Sequence, residues 1–256
     1  MRLDIFLHEN MGVKSRSAAQ ELIKNGCVFV NEKCVTKPSF ELLCNENITI
    51  SQHQSFVSRG AQKLLGAIEI FGTDFTNKVV LDIGASTGGF TQVALIHGAQ
   101  KVYAVDVGNG ELAPELASDG RVINLENTDF RKLTLSQAPD VDFVVGDISF
   151  ISLRHIMPHI KSLYGSIESV LLFKPQFECG AEIAKKYKGV IKNRAIHKKL
   201  LKDILTYSSG LGFRISDIAA SPIKGKSGNI EYLLHINGET SSRIDVDAIV
   251  DNTFQS

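Results

Sequence analysis

Short apolar runs alternate with amphipathic segments from residue 56 onward. Five of the runs are typical of buried strands, at residues 79–83, 101–105, 122–125, 141–145 and 169–173. Helical periodicity appears near residues 90–97, 111–118, 151–163 and 194–209. Alternating strands and helices predict a mostly parallel sheet that is covered by helices on both faces.

Two further strand patterns, at residues 214–220 and 230–236, have only a loop between them. A parallel crossover needs a dozen or more residues, so we expect these two strands to pair antiparallel. The pattern therefore predicts an α/β fold of the Rossmann-like type, with a mostly parallel seven-stranded sheet whose last strand is antiparallel.

The first fifty residues have a different pattern. Ser17-Ala-Ala-Gln20 predicts a capping box, and Asn25-Gly26 predicts the end of that helix. Strand-like residues follow at 27–30, 33–35 and 48–50, so the order is two short helices and then a small sheet. Because the stretch 51–55 is polar and aperiodic, we predict a small α+β domain at 1–50, a linker at 51–55 and a large domain at 56–256.

Composition indicates an ordinary folded protein, with 43% hydrophobic and 22% charged residues.

The 28 basic residues balance the 28 acidic ones, but residues 185–202 contain eight basic residues and no acidic one. On the helix in that segment, Arg194, Lys198 and Lys202 recur opposite an apolar stripe, which predicts that they face solvent. A solvated surface is the simplest interpretation, and the added lysines favour a surface that binds phosphates.

The chain starts with a charge-interrupted segment and has no apolar run of about 18 residues, so we expect a cytoplasmic protein without a membrane partner. The four cysteines form no C-x-x-C pair. Buried thiols are therefore a better interpretation than a metal site or disulfides.

A glycine-rich turn, Asp82-Ile-Gly-Ala-Ser-Thr-Gly-Gly-Phe90, follows the first strand of the large domain. Its glycines allow a tight turn and close approach of a ligand. The dinucleotide fingerprint is absent because Ala85 and Ser86 stand where its second glycine is needed.

Asp106 ends the next strand, where it can accept from ribose hydroxyls, and Asp129 follows the third strand, where an adenine amino group can donate to it. A glycine turn with both acids indicates S-adenosylmethionine binding; a purely structural turn is the alternative.

Four ionisable residues are expected at one edge of the sheet. Asp147 and Lys174 end the fourth and fifth strands, and Glu231 starts the antiparallel strand, whose beginning lies at the same edge. Lys63, on the helix that enters the domain, can reach them. A lysine can act as the base that activates a ribose 2'-hydroxyl, and we assign that role to Lys174. A surface network of ion pairs is the alternative interpretation.

These segments contain motifs that carry a resemblance. Residues 1–50, through Arg2-Leu-Asp4, Ser15-Arg-Ser-Ala-Ala19 and Gly26-Cys-Val-Phe-Val-Asn31, resemble a small RNA-binding domain found in a ribosomal small-subunit protein, pseudouridine synthases and tyrosyl-tRNA synthetases. The remainder is similar to FtsJ-type methyltransferases. The combination resembles the TlyA family of rRNA cytidine 2'-O-methyltransferases, also named haemolysins. The supporting motifs are Ser58-Arg-Gly-Ala-Gln-Lys63, the glycine turn, Tyr103-Ala-Val-Asp-Val-Gly108, Asp147-Ile-Ser-Phe-Ile-Ser152, Lys174-Pro-Gln-Phe-Glu178 and Gly228-Asn-Ile-Glu231.

The resemblance implies S-adenosylmethionine-dependent 2'-O-methylation of a cytidine in 23S rRNA, with 16S rRNA as a further candidate. Such a modification is expected to influence ribosome function and susceptibility to antibiotics. The partner implied is ribosomal RNA or a ribosomal subunit, and the chain's start just before Arg2 resembles a shorter family type that acts on the large subunit.

The resemblance also implies the site residues. The family's catalytic residues fall on Lys63, Asp147, Lys174 and Glu231. Cofactor binding is expected from Asp82, Gly84, Ala85, Ser86, Gly88, Gly89, Phe90, Asp106, Val107, Asp129 and Asp147. RNA binding is expected from Arg2, Lys14, Arg16, Lys24, Arg59, Lys185, Lys186, Lys188, Lys192, Arg194 and Lys198.

Two other functions stay open at this point. A non-catalytic ribosome-assembly factor would bind RNA without binding S-adenosylmethionine. A membrane-lysing haemolysin would make liposomes leak, although the sequence has neither a signal segment nor an apolar span to support it.

Overall fold

The computed structural model describes residues 1–24, 27–31, 33–35, 37–43, 46–50, 56–237 and 244–255. Its contacts divide the chain into two compact units, Met1–Arg59 and Gly60–Ser256. Each unit buries apolar side chains of its own.

The small unit contains two helices and a three-stranded antiparallel sheet in the order β2-β1-β3. Its elements are α1 (Leu3–Asn10), α2 (Arg16–Lys24), β1 (Val28–Val30), β2 (Lys33–Cys34) and β3 (Ile48–Ile50). Its buried core includes Leu3, Leu7, Ala19, Ile23, Val28 and Val30. The predicted order of two helices and a small sheet is confirmed.

The predicted cap of α2 was wrong by two residues. The backbone N–H of Ala18 donates to Ser15 Oγ at 3.1 Å, so Ser15 rather than Ser17 supplies the capping oxygen. Gln20 does not close a capping box, because its side chain donates to Asp4 at 2.7 Å. The predicted stop at Asn25-Gly26 lies outside the described residues.

The large unit is built on a seven-stranded sheet in the order β6-β5-β4-β7-β8-β10-β9. The strands are β4 (Val79–Ile83), β5 (Lys101–Val105), β6 (Val122–Leu125), β7 (Phe143–Gly146), β8 (Glu168–Phe173), β9 (Ile215–Ala220) and β10 (Tyr232–Ile236). The helices are α3 (Ala61–Phe71), α4 (Gly89–Ile96), α5 (Pro114–Ala117), α6 (Met157–Tyr164), α7 (Pro175–Glu178), α8 (Gly180–Lys186), α9 (Arg194–Gly210) and α10 (Val246–Thr253).

Strand β10 is antiparallel to both of its neighbours, and the pairs from β6 through β8 are parallel. The predicted sheet is therefore confirmed. The strand order reverses at β4, which lies between β5 and β7, and open α/β sheets bind ligands at such a switch point. The carboxyl ends of β4, β7 and β8 and the start of β10 lie at one edge.

Helices α7, α8 and α10 were not predicted from the sequence. Helix α7 begins at Pro175, whose fixed φ suits the first turn of a helix. Helix α10 begins after Asp245, whose side chain accepts from the backbone N–H of Ala248 at 3.0 Å. The predicted helix over 151–163 is divided into a 3-10 turn, Leu153–His155, and α6.

Candidate active site

The glycine turn connects β4 to α4 through three residues with positive φ: Gly84 (+81°), Ser86 (+49°) and Gly88 (+94°). A Cβ at Gly84 would lie 3.3 Å from the backbone oxygen of Asp147, and one at Gly88 would lie 2.3 Å from Leu116 Cδ1. Both positions therefore need glycine for conformation and for space. At Gly84 the chain that leaves β4 lies against the backbone that follows β7, and Gly84 also lines the cleft beside the turn.

The carboxylate of Asp106 holds the glycine turn in place. Its Oδ2 accepts from the backbone N–H of Ser86 at 2.8 Å, and its Oδ1 accepts from that of Gly108 at 2.7 Å. A carboxylate has about four lone-pair sites, so each oxygen can accept a further hydrogen bond. Asp106 therefore is both fixed by the protein and able to bind hydroxyl groups in the cleft that it lines.

Asp129 has a partner that the sequence did not reveal. Its two oxygens accept from Arg131 Nε at 3.0 Å and Arg131 Nη2 at 2.7 Å. Hydrogen bonding by this guanidinium lowers the pKa of Asp129 to about 2. An adenine amino group at this place would share a carboxylate that Arg131 already binds.

Five of the predicted cofactor-binding residues do not line the cleft. These buried residues are Asp82, Ala85, Gly88, Gly89 and Phe90. Direct contact of these residues with a cofactor stays a prediction. The other predicted residues, Gly84, Ser86, Asp106, Val107, Asp129 and Asp147, all line the cleft.

Asp82 is fully buried and accepts a hydrogen bond from Thr91 Oγ1 at 2.7 Å. Burial raises the pKa of the Asp82 carboxyl from 3.8 to about 7. The folded state therefore holds a proton that the unfolded state releases, so the contribution of Asp82 to stability is greatest at low pH. It falls as pH rises from about 4 to 7.

We expect Asp82→Asn to become more stable relative to the unchanged protein as pH rises, because asparagine has no charge to bury. One pKa unit corresponds to about 1.4 kcal/mol, so the difference in unfolding free energy should grow by roughly 2 to 3 kcal/mol between pH 5 and pH 8. Urea unfolding of both proteins across that range measures it. A difference that does not change with pH would contradict the assignment.

The cleft has a volume of about 1230 Å³ and extends from the glycine turn to helix α8. Its wall beyond the cofactor residues includes Ser149, Phe150, Gln176, Phe177, Glu178 and Lys226. Phe150 has a positive φ of +66° and its side chain is 91% exposed. Its ring lies 5.2 Å from that of Phe177, so an aromatic surface faces the opening of the cleft.

The four predicted catalytic residues are linked by three ion pairs. Lys63 Nζ is 3.0 Å from Asp147 Oδ2 and 2.9 Å from Glu231 Oε2. Lys174 Nζ forms an ion pair with Asp147 Oδ1 at 2.6 Å and donates to Ser149 Oγ at 2.7 Å. The lysines and Glu231 are buried, so these ion pairs lie inside the protein and not at its surface.

The ion pairs set the protonation of two members of this cluster. Burial opposes the charge of Lys63, but attraction by Asp147 and Glu231 is stronger, so the pKa of its ammonium lies above the ordinary value. Burial also opposes the charge of Asp147, and attraction by Lys174 and Lys63 keeps the pKa of that carboxyl below its ordinary value. Lys63 is therefore a cation and Asp147 an anion at neutral pH.

Sequence reasoning missed two side chains that complete the cluster. Ser149 accepts from Lys174, as above, and Gln176 Nε2 donates to Glu231 Oε1 at 3.1 Å. Both lie within motifs already noted, two residues after Asp147 and Lys174. A polar residue two positions after the charged residue at a strand end was the sequence signal that could have indicated both.

The predicted RNA-binding residues of α9, Arg194 and Lys198, contact residues of α10 or its C-terminal end. Lys198 pairs with Asp251 at 2.8 Å and Asp247 at 3.6 Å, and Arg194 Nη2 donates to the Phe254 carbonyl at 3.4 Å. Arg194 and Lys202 are exposed, as predicted, and Lys198 is half-buried, because α10 packs beside the stripe and supplies carboxylates to the two lysines. Lys185, Lys186, Lys188 and Lys192 are exposed.

In the small unit, two predicted RNA-binding arginines share one buried carboxylate. Arg2 Nε is 3.0 Å from Asp4 Oδ1, and Arg16 Nε is 3.0 Å from Asp4 Oδ2. These hydrogen bonds, with that from Gln20, hold the pKa of Asp4 well below its usual range. Lys14 and Arg59 are exposed, and the side chain of Lys24 lies outside the described residues.

Comparison with known proteins agrees with this geometry. Residues 56–238 match the FtsJ-like methyltransferase family. The chain belongs to that family. An S4 domain matches residues 1–48, so the methyltransferase carries a second unit of a known type. Membership of a methyltransferase family implies S-adenosylmethionine as the methyl donor.

Similar proteins cover nearly the whole chain. Hemolysin A of Brachyspira hyodysenteriae is 41% identical over 92% of this chain and 99% of its own length. The 16S/23S rRNA (cytidine-2'-O)-methyltransferase TlyA of Mycobacterium tuberculosis is 36% identical over 98% of this chain and 94% of its own. The crystal structure of a Lactococcus lactis protein with a hemolysin name has a TM-score of 0.72 and 36% identity, covering 77% of this chain and 98% of that one.

Within the part of the chain that the structure describes, no helix has both the length and the apolar character needed to cross a membrane. In the same residues, no group of three or more histidine, cysteine or acidic side chains is arranged to hold a metal ion.

Proposed function

We propose that this methyltransferase transfers the methyl group of S-adenosylmethionine to the ribose 2'-hydroxyl of a cytidine in ribosomal RNA. The observation that carries the proposal is the buried cluster of Lys63, Asp147, Lys174 and Glu231 beside the cleft. The M. tuberculosis relative named for this reaction and the S4 domain support the choice of substrate. Membership of a methyltransferase family favours an enzyme over a non-catalytic assembly factor.

The residues around the cleft fit the cofactor. Gly84 has no side chain at the place where β4 and β7 approach, and Asp106 keeps lone pairs that can accept from two ribose hydroxyls. Asp129 and Phe130 line the far side, where an adenine ring would contact them. When bound, the cofactor supplies an electrophilic methyl group on its sulfonium.

Lys174 is the proposed base for the 2'-hydroxyl. Lys63 has two carboxylate partners, whereas Lys174 has one carboxylate and the Ser149 hydroxyl. A neutral Lys174 would leave Asp147 and Glu231 both paired with Lys63, but a neutral Lys63 would leave the buried Glu231 without its ammonium partner. Of the two lysines, Lys174 is thus the one that can release its own proton to solvent without unpairing a carboxylate, and as a neutral amine it can then accept the proton of the 2'-hydroxyl.

The remaining residues position the acceptor. Asp147 binds both ammonium groups, and Glu231 holds Lys63 and Gln176, so the cluster is already oriented before RNA binds. A ribose stacked within a helix cannot present its 2'-oxygen in line with the methyl group, so the target nucleotide must leave its stack. The exposed Phe150 ring offers the displaced base a new stacking surface.

The proposed function is tested by mapping ribose methylation in ribosomal RNA from cells with and without this protein, by primer extension and mass spectrometry. One cytidine that loses its 2'-O-methyl group in the absence of the protein, and regains it when the protein is restored, is the expected result. Restoration with Lys174→Ala is the matched inactive control. An unchanged methylation pattern would overturn the proposal.

We expect Asp106→Ala to weaken S-adenosylmethionine binding, because it removes the acceptor of two charge-assisted hydrogen bonds. A loss of about 1.5 to 3 kcal/mol corresponds to roughly 10- to 150-fold in Kd, which titration calorimetry can measure. Glu115→Ala is a matched control, since it removes the same charge from an exposed residue that does not line the cleft. Equal affinities for the two variants would contradict the role of Asp106.

A further inference from the structure

Residues 221–229, in the loop between β9 and β10, carry two exposed lysines beside the catalytic cluster. Lys226 lines the cleft together with Ala181 and Ala184 of α8, and Lys224 is also exposed. Neither lysine is among the site residues predicted from the sequence.

This loop packs directly against Glu231. A Cβ at Gly225 would lie 2.6 Å from Glu231 Oε1, so the main chain at Gly225 contacts the carboxylate that holds Lys63. Lys226 is the next residue, and consecutive Cα atoms are about 3.8 Å apart. The ammonium group of Lys226 is therefore tethered close to the place where the acceptor ribose is expected.

Asn229 joins this loop to the lysine-rich segment that follows α8. Its side chain is buried, donates to the Gly189 carbonyl at 2.8 Å and accepts from the backbone N–H of Ile191 at 3.0 Å. Lys188 and Lys192 flank that short segment. The two stretches consequently form one lysine surface, which consists of Lys185, Lys186, Lys188, Lys192, Lys224 and Lys226.

The charge of the lysine surface is not balanced by carboxylates. In the described part of the chain, none of its six lysines has a carboxylate oxygen within 4.0 Å, whereas Lys198 and Lys202 of α9 are paired with α10. Of the nearby acids, Glu178 is bonded to Ser152 and the backbone of Leu153, and Glu231 is bonded within the cluster. Glu182, on α8, is the exposed acid nearest in sequence and forms no ion pair with Lys185 or Lys186.

We propose that Lys224 and Lys226 bind the phosphates on either side of the acceptor nucleotide, and that Lys188 and Lys192 extend this contact along the RNA backbone. This inference rests on the proposed function. A ribose in an RNA strand carries a phosphate on its 3'-oxygen and another on its 5'-oxygen, so a 2'-hydroxyl at the cluster brings phosphates to the neighbouring loop. Lysine ammonium groups bind phosphates as point charges and do not read the base, so these contacts position the strand without selecting its sequence.

The test compares the double variant Lys224→Gln/Lys226→Gln with Lys199→Gln/Lys202→Gln, which removes the same charge from exposed lysines of α9 outside the surface. Binding of an rRNA fragment is measured by fluorescence anisotropy at several salt concentrations. The slope of log K against log salt should flatten by about 0.7 to 0.9 for each lost phosphate contact, so by about 1.4 to 1.8 in the loop variant. The α9 variant should keep the original slope, and Lys224→Arg/Lys226→Arg should restore it.

Two further measurements separate this inference from the proposed function. The loop glutamine variant should bind S-adenosylmethionine as the unchanged protein does. Its kcat/KM for methylation should fall because its KM for RNA rises, while kcat stays nearly the same. An unaltered salt slope in the loop variant, or an equal loss in the α9 variant, overturns the inference even if the protein methylates RNA. If the unchanged protein does not methylate RNA, but the salt slope of RNA binding still depends on the loop lysines, the proposed function is overturned. RNA binding by the loop is then still supported.

Discussion

Replacing Lys174 with alanine is expected to reduce methylation of rRNA by about 10² to 10⁴-fold, the usual contribution of a positioned base. The substitution removes the only group in the cluster that can take up the hydroxyl proton without unpairing a carboxylate. Asp147 keeps its contact with Lys63 at 3.0 Å, so the cluster is not left with an isolated buried charge. Single-turnover transfer of a labelled methyl group measures the effect, and calorimetry should show unchanged affinity for S-adenosylmethionine.

Lys174→Arg is the matched control for this experiment. Arginine keeps the positive charge opposite Asp147 but does not release its proton, so it should fold normally and remain as inactive as the alanine variant. If the arginine variant were active, Lys174 would act only as a cation. If the alanine variant were active, another group would have to be the base.

Removal of residues 1–55 is expected to abolish rRNA methylation while leaving S-adenosylmethionine binding nearly intact. The cofactor residues and the catalytic cluster all belong to the large unit, Gly60–Ser256, which is a compact unit by itself. The small unit matches an S4 domain, and its loss removes the contacts that we expect it to make with RNA. Methylation of rRNA and calorimetry of the cofactor measure the two effects separately.

Truncation is a sharper test than replacement of Arg2 and Arg16. Both arginines bind the fully buried carboxylate of Asp4, so their removal would leave that charge unpaired and destabilise the small unit itself. An unchanged melting temperature of the large unit is the control for the truncated protein. Full activity of that protein on rRNA would show that the S4 domain is not needed.

The sequence by itself determined the sheet and most of the active-site edge. Apolar periodicity is a local signal, and the rules for parallel strands then place strand ends together, so Asp147, Lys174 and Glu231 were expected at one edge before any contact was known. Gly84 was also recognisable from the sequence, because a tight turn directly after a buried strand needs a glycine. The role of Asp106 as an acceptor for ribose hydroxyls was likewise predicted from its place directly after β5.

Only the tertiary structure decided how the charges pair. Lys63 contacts Glu231 across 168 residues of sequence. Its two carboxylate partners keep Lys63 in its charged form, so Lys174 is the proposed base. Lys198 contacts Asp251 across 53 residues, so one member of the predicted RNA-binding stripe is paired with α10. Local patterns specify which residues share a face, but an ion pair depends on which distant segment packs on that face, and this is settled only when the whole chain folds.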